Sequence, residues 1–310
     1  MIGFIGLGQM GGAIVRRLLA GGTEILAFDE TADRLAEAAR HGARPAGSAR
    51  EIADSVSIVM TCLPSSSAAM DVGRQVAAGS KVEIYAELST IGRHAIRELD
   101  QILRPAGVQL IDAPVSGGPA GAARGTLSLM LSGPSGATER IAETMRQVAG
   151  SVLRVGNEPG QAQLCKLVNN GISMTALAVS CEALAVGVAR DIDASALVEV
   201  INAGTGRNSA TTDKIPLFIL PRKFNMGATL GSATKDLDLY LHEAEDAGLP
   251  AGVIAMTREL WERAVGALGG SPDASEITRY FEGFTKTEVA ARPTLSPGIP
   301  AVNGDSGNPG

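Results

Sequence analysis

The sequence predicts an α/β chain in two parts: a mainly parallel β-sheet carrying helices on its faces, then a domain made only of helices. Three observations carry that expectation. Short apolar runs alternate with helical patterns up to residue 160, with few hairpin signals, which is the texture of βαβ units. Beyond Gly160 the chain turns into long helix-forming stretches punctuated by Gly and Pro, with no further strand signals. Finally, 310 residues at 45% hydrophobic and 19% charged suffice for two domains with sizeable cores.

Taken in order, strands are expected at Ile2–Ile5, Glu24–Phe28, Val56–Thr61, Val82–Ala86, Val108–Asp112, Thr126–Leu131 and Val152–Val155. Gly11–Ala20 and Asp33–His41 read as intervening helices. From Gln161 to Arg190 no turn cluster interrupts the chain, and the apolar residues lie nearly all round. Such a pattern predicts one long helix buried between other helices or subunits. Further helices are expected at Ser195–Asn202, Ser232–Ala247, Val253–Leu268 and Ser275–Thr287. Gly204–Gly227 reads as a long irregular connection, the kind of loop that carries specificity; Arg207 and Asn208 are its candidates for reading a substrate. The expected domains are residues 1–160 and 161–290. Residues 291–310, rich in Pro and Gly without periodicity, are expected to be a disordered tail.

Composition narrows the function classes. A net charge of −6 argues against nucleic acid or an anionic membrane as the main partner. The ten aromatics leave little for base stacking. Cys62, Cys165 and Cys181 show no C-x-x-C spacing, and three scattered histidines form no zinc pattern, so a reducing compartment, the cytoplasm, is expected. The strand-like start at Ile2 leaves no room for a signal peptide. Glu182 interrupts the longest apolar stretch, Ile172–Val188, and no membrane span is expected.

The chemistry-bearing motifs begin at Gly6-Leu7-Gly8-Gln9-Met10-Gly11, between a strand and a helix. Gly6 permits the tight turn, Gly8 lets backbone approach a pyrophosphate, and Gly11 allows close helix–strand packing. The helix N-terminus offers free N–H groups to phosphates. Asp29 ends the next strand, where a carboxylate accepts ribose hydroxyls and repels a 2′-phosphate. NAD is therefore expected ahead of NADP. Two later strand ends, carrying Leu63 and Pro64 in one loop and Thr90 in the other, fall where a dinucleotide should lie. Either alone is an ordinary strand-ending turn.

Lys166 and Asn170 are four residues apart on the long helix and face the same way. A lysine beside an amide can hold a reacting oxygen and relay its proton. A surface lysine beside a capping Asn pair is the plainer reading of the bare residues. Ser116-Gly117-Gly118 follows a strand and can offer N–H groups and a hydroxyl to a carboxylate; it also reads as a flexible glycine loop. Lys235-Asp236 reads as a solvated pair, and His41, His94 and His242 as structural or surface residues.

Four blocks in order then bring a family resemblance: Gly3-Phe4-Ile5-Gly6-Leu7-Gly8-Gln9-Met10-Gly11; Leu88-Ser89-Thr90; Asp112-Ala113-Pro114-Val115-Ser116-Gly117-Gly118, running on to Gly125-Thr126-Leu127; and Lys166-Leu167-Val168-Asn169-Asn170. Over residues 1–287 the chain resembles the β-hydroxyacid dehydrogenases, the family of 3-hydroxyisobutyrate dehydrogenase. The resemblance implies an N-terminal Rossmann doubly wound sheet followed by an all-α domain, and reversible NAD(P)-linked oxidation of a small 3-hydroxy acid. It implies that Lys166 is catalytic with Asn170, and that Ser116, Gly117 and Gly118 hold the substrate carboxylate. Gly6 through Gly11, Asp29, Leu63, Pro64, Thr90 and Lys235 would line the cofactor. A homodimer or homotetramer is expected. Glu87 departs from a usual Asp, Arg93 from a frequent Pro and Ala162 from a frequent Gly. An imine reductase would share the architecture and typically lack the lysine; a non-catalytic NAD(P)-binding regulator would lose the lysine or the carboxylate loop. Both are present here.

Overall fold

The computed structural model describes residues 1–291; the expected tail, but for Ala291, lies outside the described residues. The elements run β1 (Ile2–Ile5), α1 (Gln9–Ala20), β2 (Ile25–Phe28), α2 (Ala32–Arg40), β3 (Arg44–Pro45), α3 (Ala49–Ala53), β4 (Ile58–Thr61), α4 (Ser66–Ala77), β5 (Ile84–Glu87) and α5 (Arg93–Leu103). They continue with β6 (Gln109–Asp112), β7 (Val115–Ser116), α6 (Gly118–Arg124), β8 (Leu127–Ser132), α7 (Ser135–Met145) and β9 (Ala149–Gly156). Each expected strand is present, within three residues at its start.

The sheet order β3-β2-β1-β4-β5-β6 is parallel throughout. Chain order reverses between β1 and β4, so the crevice outside their carboxyl ends is the ligand site of a doubly wound sheet. β8 then runs antiparallel to both β6 and β7 in a single register, Asp112 opposite Ser132 and Ser116 opposite Ser128. β6 and β7 therefore act as one interrupted strand, and β9 pairs parallel with β8. The central strands β1 and β4 are buried along their whole length, which is why they read as unbroken apolar runs. One apolar cluster fills each face of the sheet.

The helical part has its own core around Leu177, Cys181, Leu184, Ile215, Leu237 and Trp261. It comprises α8 (Gln161–Val188), α9 (Ala194–Ala203), α10 (Leu230–Asp246), α11 (Gly252–Leu268) and α12 (Ile277–Thr285). By length and composition α8 could cross a bilayer, yet half of its most apolar window is buried inside the protein. One expectation is corrected here. Gly204–Gly227 is not simply irregular: it contains a π-helix, Ala210–Ile219, with Pro216 inside it. Within one chain α8 is buried on part of its surface only. Val168, Ile172, Val179 and Val186 form an exposed apolar stripe, with Ile172 64% exposed.

Candidate active site

At the nucleotide end, β1 stops at Ile5 and Gly6 turns the chain at φ +92°. A Cβ at Gly6 would lie 2.3 Å from the Cys62 carbonyl oxygen, and one at Gly11 would lie 2.0 Å from the Gly6 carbonyl oxygen. At Gly8 a Cβ would meet nothing within 4 Å. Gly6 and Gly11 are thus required by packing, whereas Gly8 faces open space. Helix α1 begins there with no side-chain cap and no acidic residue in its first turn, so its free N–H groups and positive dipole end remain available for phosphate. This cradle fits the pyrophosphate of a dinucleotide.

Asp29 lies at the carboxyl end of β2, and its side chain is only 7% exposed. Oδ2 accepts the Leu7 N–H at 2.6 Å and Oδ1 accepts the Thr31 N–H at 2.8 Å. The carboxylate is therefore pinned to the glycine turn. Each oxygen keeps a lone pair for a ribose hydroxyl. Arg34 Nη1 stands 3.8 Å from Oδ1.

The next two strand ends are tied together. The Leu63 N–H donates to Ser89 Oγ at 2.6 Å, and the Cys62 N–H to the Ile5 carbonyl at 2.9 Å. Glu87, the departure from the usual Asp, is fully buried. It accepts from Thr61 Oγ1 at 2.8 Å and from the Ser89 N–H at 2.9 Å. Burial pushes its carboxyl above the ordinary range, partly offset by Ser89 and Thr61. Burial also lifts the Cys62 thiol to about 12, which leaves it an inert wall of the turn.

A buried polar knot fixes the start of α8 against the sheet. Asp112 Oδ2 accepts the Gly160 N–H at 3.0 Å, the Gln163 N–H at 2.9 Å and the Ser132 hydroxyl at 3.2 Å. Gln163 Oε1 accepts the Ile91 and Gly92 N–H groups, both at 3.0 Å. Its Nε2 donates to the Ser89 carbonyl and to Asp112 Oδ1, both at 2.9 Å. Burial raises Asp112 to about 6 in spite of the donors from Gln163, Gly160 and Ser132. One glutamine thus locks the β5 loop to α8, three residues before Lys166.

Lys166 is 92% buried, with no hydrogen-bond or ion-pair partner for its Nζ among the described residues. Burial lowers its ammonium to about 8; nearby Asp236 opposes that shift, while Lys235 and Lys214 reinforce it. One turn on, Asn170 Nδ2 donates to Asp236 Oδ2 at 2.7 Å. Asp236 Oδ1 is 3.2 Å from Lys235 Nζ, and Lys235 donates to the Thr90 carbonyl at 2.6 Å. Lys166, Asn170, Asp236, Lys235 and Thr90 therefore form one cluster where the helical part meets the cofactor loops.

Ser116 closes β7, and Gly117 and Gly118 follow at φ +123° and +65°, conformations that favour glycine. A Cβ at Gly117 would meet Leu127, one at Gly118 would meet the Met226 carbonyl, and one at Gly227 would meet Pro119. The helical part therefore packs directly on this loop. Among the described residues no hydrogen bond joins the loop to Lys166 or Asn170.

Two family models cover nearly all of these elements. Residues 1–156 match the NAD-binding domain of 6-phosphogluconate dehydrogenase, and residues 160–281 match the NAD-binding unit of NADP-dependent 3-hydroxyisobutyrate dehydrogenase. The chain belongs to the β-hydroxyacid dehydrogenase family. It is an NAD(P)-dependent oxidoreductase of the hydroxyacid class. Among similar β-hydroxyacid dehydrogenases is the 2-(hydroxymethyl)glutarate dehydrogenase of Eubacterium barkeri, 29% identical over 298 residues, covering 93% of this chain and 97% of that protein. Another is a probable mitochondrial 3-hydroxyisobutyrate dehydrogenase of Dictyostelium discoideum, 30% identical with 90% of both chains covered. The structure of Mycobacterium tuberculosis 3-hydroxyisobutyrate dehydrogenase with L-serine superposes at a TM-score of 0.81 and 26% identity, covering 90% of this chain and 98% of that one.

Within this dehydrogenase some expectations need correction. The Asn208 amide is taken up by its neighbours: its Oδ1 accepts the Ala210 N–H at 2.8 Å and its Nδ2 donates to Ser180 Oγ at 3.2 Å and the Gly206 carbonyl at 2.9 Å. Arg207 is exposed. Lys235-Asp236 is not a solvated pair, because Asp236 anchors Asn170. Gln163 and Asp236 are polar residues inside helices that read from sequence as ordinary surface positions. The helical phase was the available signal: Gln163, Lys166 and Asn170 share one face.

Proposed function

We propose that this enzyme interconverts a small 3-hydroxy acid and its semialdehyde or keto acid, with Lys166 as general acid–base and NAD as the preferred cofactor. The observation that carries this reading is a buried, unpaired lysine, its ammonium lowered by burial to about 8, set beside the Asn170–Asp236 pair at the end of the nucleotide crevice. Bound NAD(P) supplies the hydride acceptor in one direction and the donor in the other. In oxidation, neutral Lys166 takes the substrate hydroxyl proton at Nζ. In reduction, its ammonium returns a proton to the same oxygen and steadies the charge developing there. A pKa of about 8 leaves both forms populated near the working pH.

Asn170 orients the same oxygen. Its Nδ2 is held by Asp236, which leaves its second N–H free to reach the substrate. Ser116, Gly117 and Gly118 would bind the substrate carboxylate through a hydroxyl and backbone N–H groups. Gly6 through Gly11, with Leu63, Pro64, Thr90 and Lys235, would cradle the cofactor. Asp29, already committed to Leu7 and Thr31, would take the ribose hydroxyls and oppose a 2′-phosphate. NADP use is expected to be weaker than NAD use.

The exposed α8 stripe supports a homodimer, or a tetramer built from one, because an apolar face of this kind marks an association surface. Three free cysteines support a cytoplasmic setting, with a small carboxylate as partner and neither nucleic acid nor membrane involved. The test is absorbance of reduced nicotinamide with NAD and a panel of 3-hydroxy acids, beside Lys166→Ala. Turnover lost in the variant while NAD still binds supports the reading. Equal turnover by the two proteins refutes Lys166 as the acid–base.

A further inference from the structure

Lys214 is a half-buried lysine that the proton relay does not use. It projects from the π-helix Ala210–Ile219 toward α8. There its ammonium donates to Ser173 Oγ, with a longer 3.4 Å contact to Ser209 Oγ. Ser173 lies seven residues beyond Lys166, two helical turns on, and therefore on the same face of α8 as Lys166 and Asn170. The rise between them is about 10 Å. Ser173 leans back along the helix toward Lys166, as helical side chains do.

The charge balance of this face is uneven. Lys235 and Lys214 both act electrostatically on Lys166, and Asp236 is the carboxylate that opposes them there. Lys235 and Asn170 already engage Asp236. The nearest acid to Lys214 in sequence, Asp213, opposes the burial of its ammonium through space but makes no ion pair with it, accepting instead from Thr212 Oγ1 at 2.8 Å. Among the described residues no carboxylate lies within ion-pair distance of Lys214 Nζ. An ammonium held partly out of water with hydroxyls as its only hydrogen-bond partners is costly, and one of its three N–H donors is unused. A ligand anion bound there would satisfy it.

We propose that Lys214, seated on Ser173, forms a second anion subsite, so that the preferred substrate is a short 3-hydroxy acid carrying a second anionic group. This rests on the reading of Lys166 as the reacting end of the site. The substrate hydroxyl sits at Lys166, and the second charge extends along α8 toward Ser173.

The test has two arms. In the first, calorimetry with NAD present compares glutarate with its mono-amide on the wild type, Lys214→Met, Lys214→Arg and Lys166→Ala. The proposal expects glutarate to bind at least about tenfold tighter than the amide to the wild type. It expects that preference to vanish in Lys214→Met, survive in Lys214→Arg and survive in Lys166→Ala. In the second arm, turnover of a 3-hydroxy acid with a second carboxylate is compared with turnover of the matching amide. Their kcat/KM ratio should fall at least tenfold in Lys214→Met, chiefly through KM, a change that lost packing alone would not produce. A wild type without a glutarate preference, or a Lys214→Met variant that keeps it, overturns the proposal. Intact glutarate selectivity in a protein that turns over no hydroxy acid would sink the dehydrogenase reading of Lys166 and leave the anion site standing.

Discussion

Replacing Gln163 by leucine removes four hydrogen bonds at once and leaves the fold's apolar volume nearly unchanged. The Ile91 and Gly92 N–H groups, both buried, lose their acceptor, while the Ser89 carbonyl and Asp112 Oδ1 lose a donor. A buried donor left unpaired costs about 1–3 kcal/mol. Local opening at Ile91 and Gly92 should therefore become easier by roughly 5- to 150-fold, at about 1.4 kcal/mol per tenfold. Hydrogen exchange followed residue by residue reads this directly. Protection should fall at Ile91 and Gly92, while β1 and β4 keep theirs. Since the same loop carries Thr90, KM for NAD should rise together with exchange. Unchanged protection at both amides, with overall stability within about 0.5 kcal/mol of wild type, would refute the claim that Gln163 locks the β5 loop to α8.

Other outcomes follow from the same geometry. Asp236→Asn removes the anion that opposes the depression of the Lys166 ammonium, so the inflection in oxidative kcat should move below about 8, by about one unit or more; an upward move would contradict the assignment. Gly8→Ala should fold normally and bind NAD weakly, whereas Gly11→Ala, with 2.0 Å to the Gly6 carbonyl, should lose thermal stability; equal melting temperatures would count against the packing argument. Ile172→Asp places a charge in the exposed α8 stripe and should convert an oligomer to monomer in sedimentation; an unchanged mass would move the association surface elsewhere.

Most of the fold was legible because the central strands are buried on both faces, so they read as short apolar runs bounded by glycine. The cofactor end was legible for a related reason. A Cβ at Gly6 would strike the Cys62 carbonyl and one at Gly11 the Gly6 carbonyl, and backbone demands of that kind leave glycine in the sequence. The polar knot was not legible. Gln163 bonds to residues more than seventy positions away, and nothing local distinguishes it from a surface glutamine. Asp236 likewise gains its role only when α10 packs beside α8. Asn208 misled because an Asn in a Gly-rich stretch signals a loop; here its Oδ1 accepts the Ala210 N–H at the start of the π-helix. The exposed stripe of α8 was hidden by its composition, since valine and isoleucine on an outer face look the same in sequence as those in a core.

The central claim is that one buried amine, Lys166, moves the proton in both directions. The most direct measurement is kcat against pH for oxidation and for reduction with the same substrate pair. For a lysine lowered to about 8, oxidation needs the neutral amine and should rise through that pH, while reduction needs the ammonium and should fall through it. Opposite slopes sharing one inflection, and both lost in Lys166→Ala, are the predicted result. Two parallel slopes, or an inflection that persists without the lysine, would contradict the account.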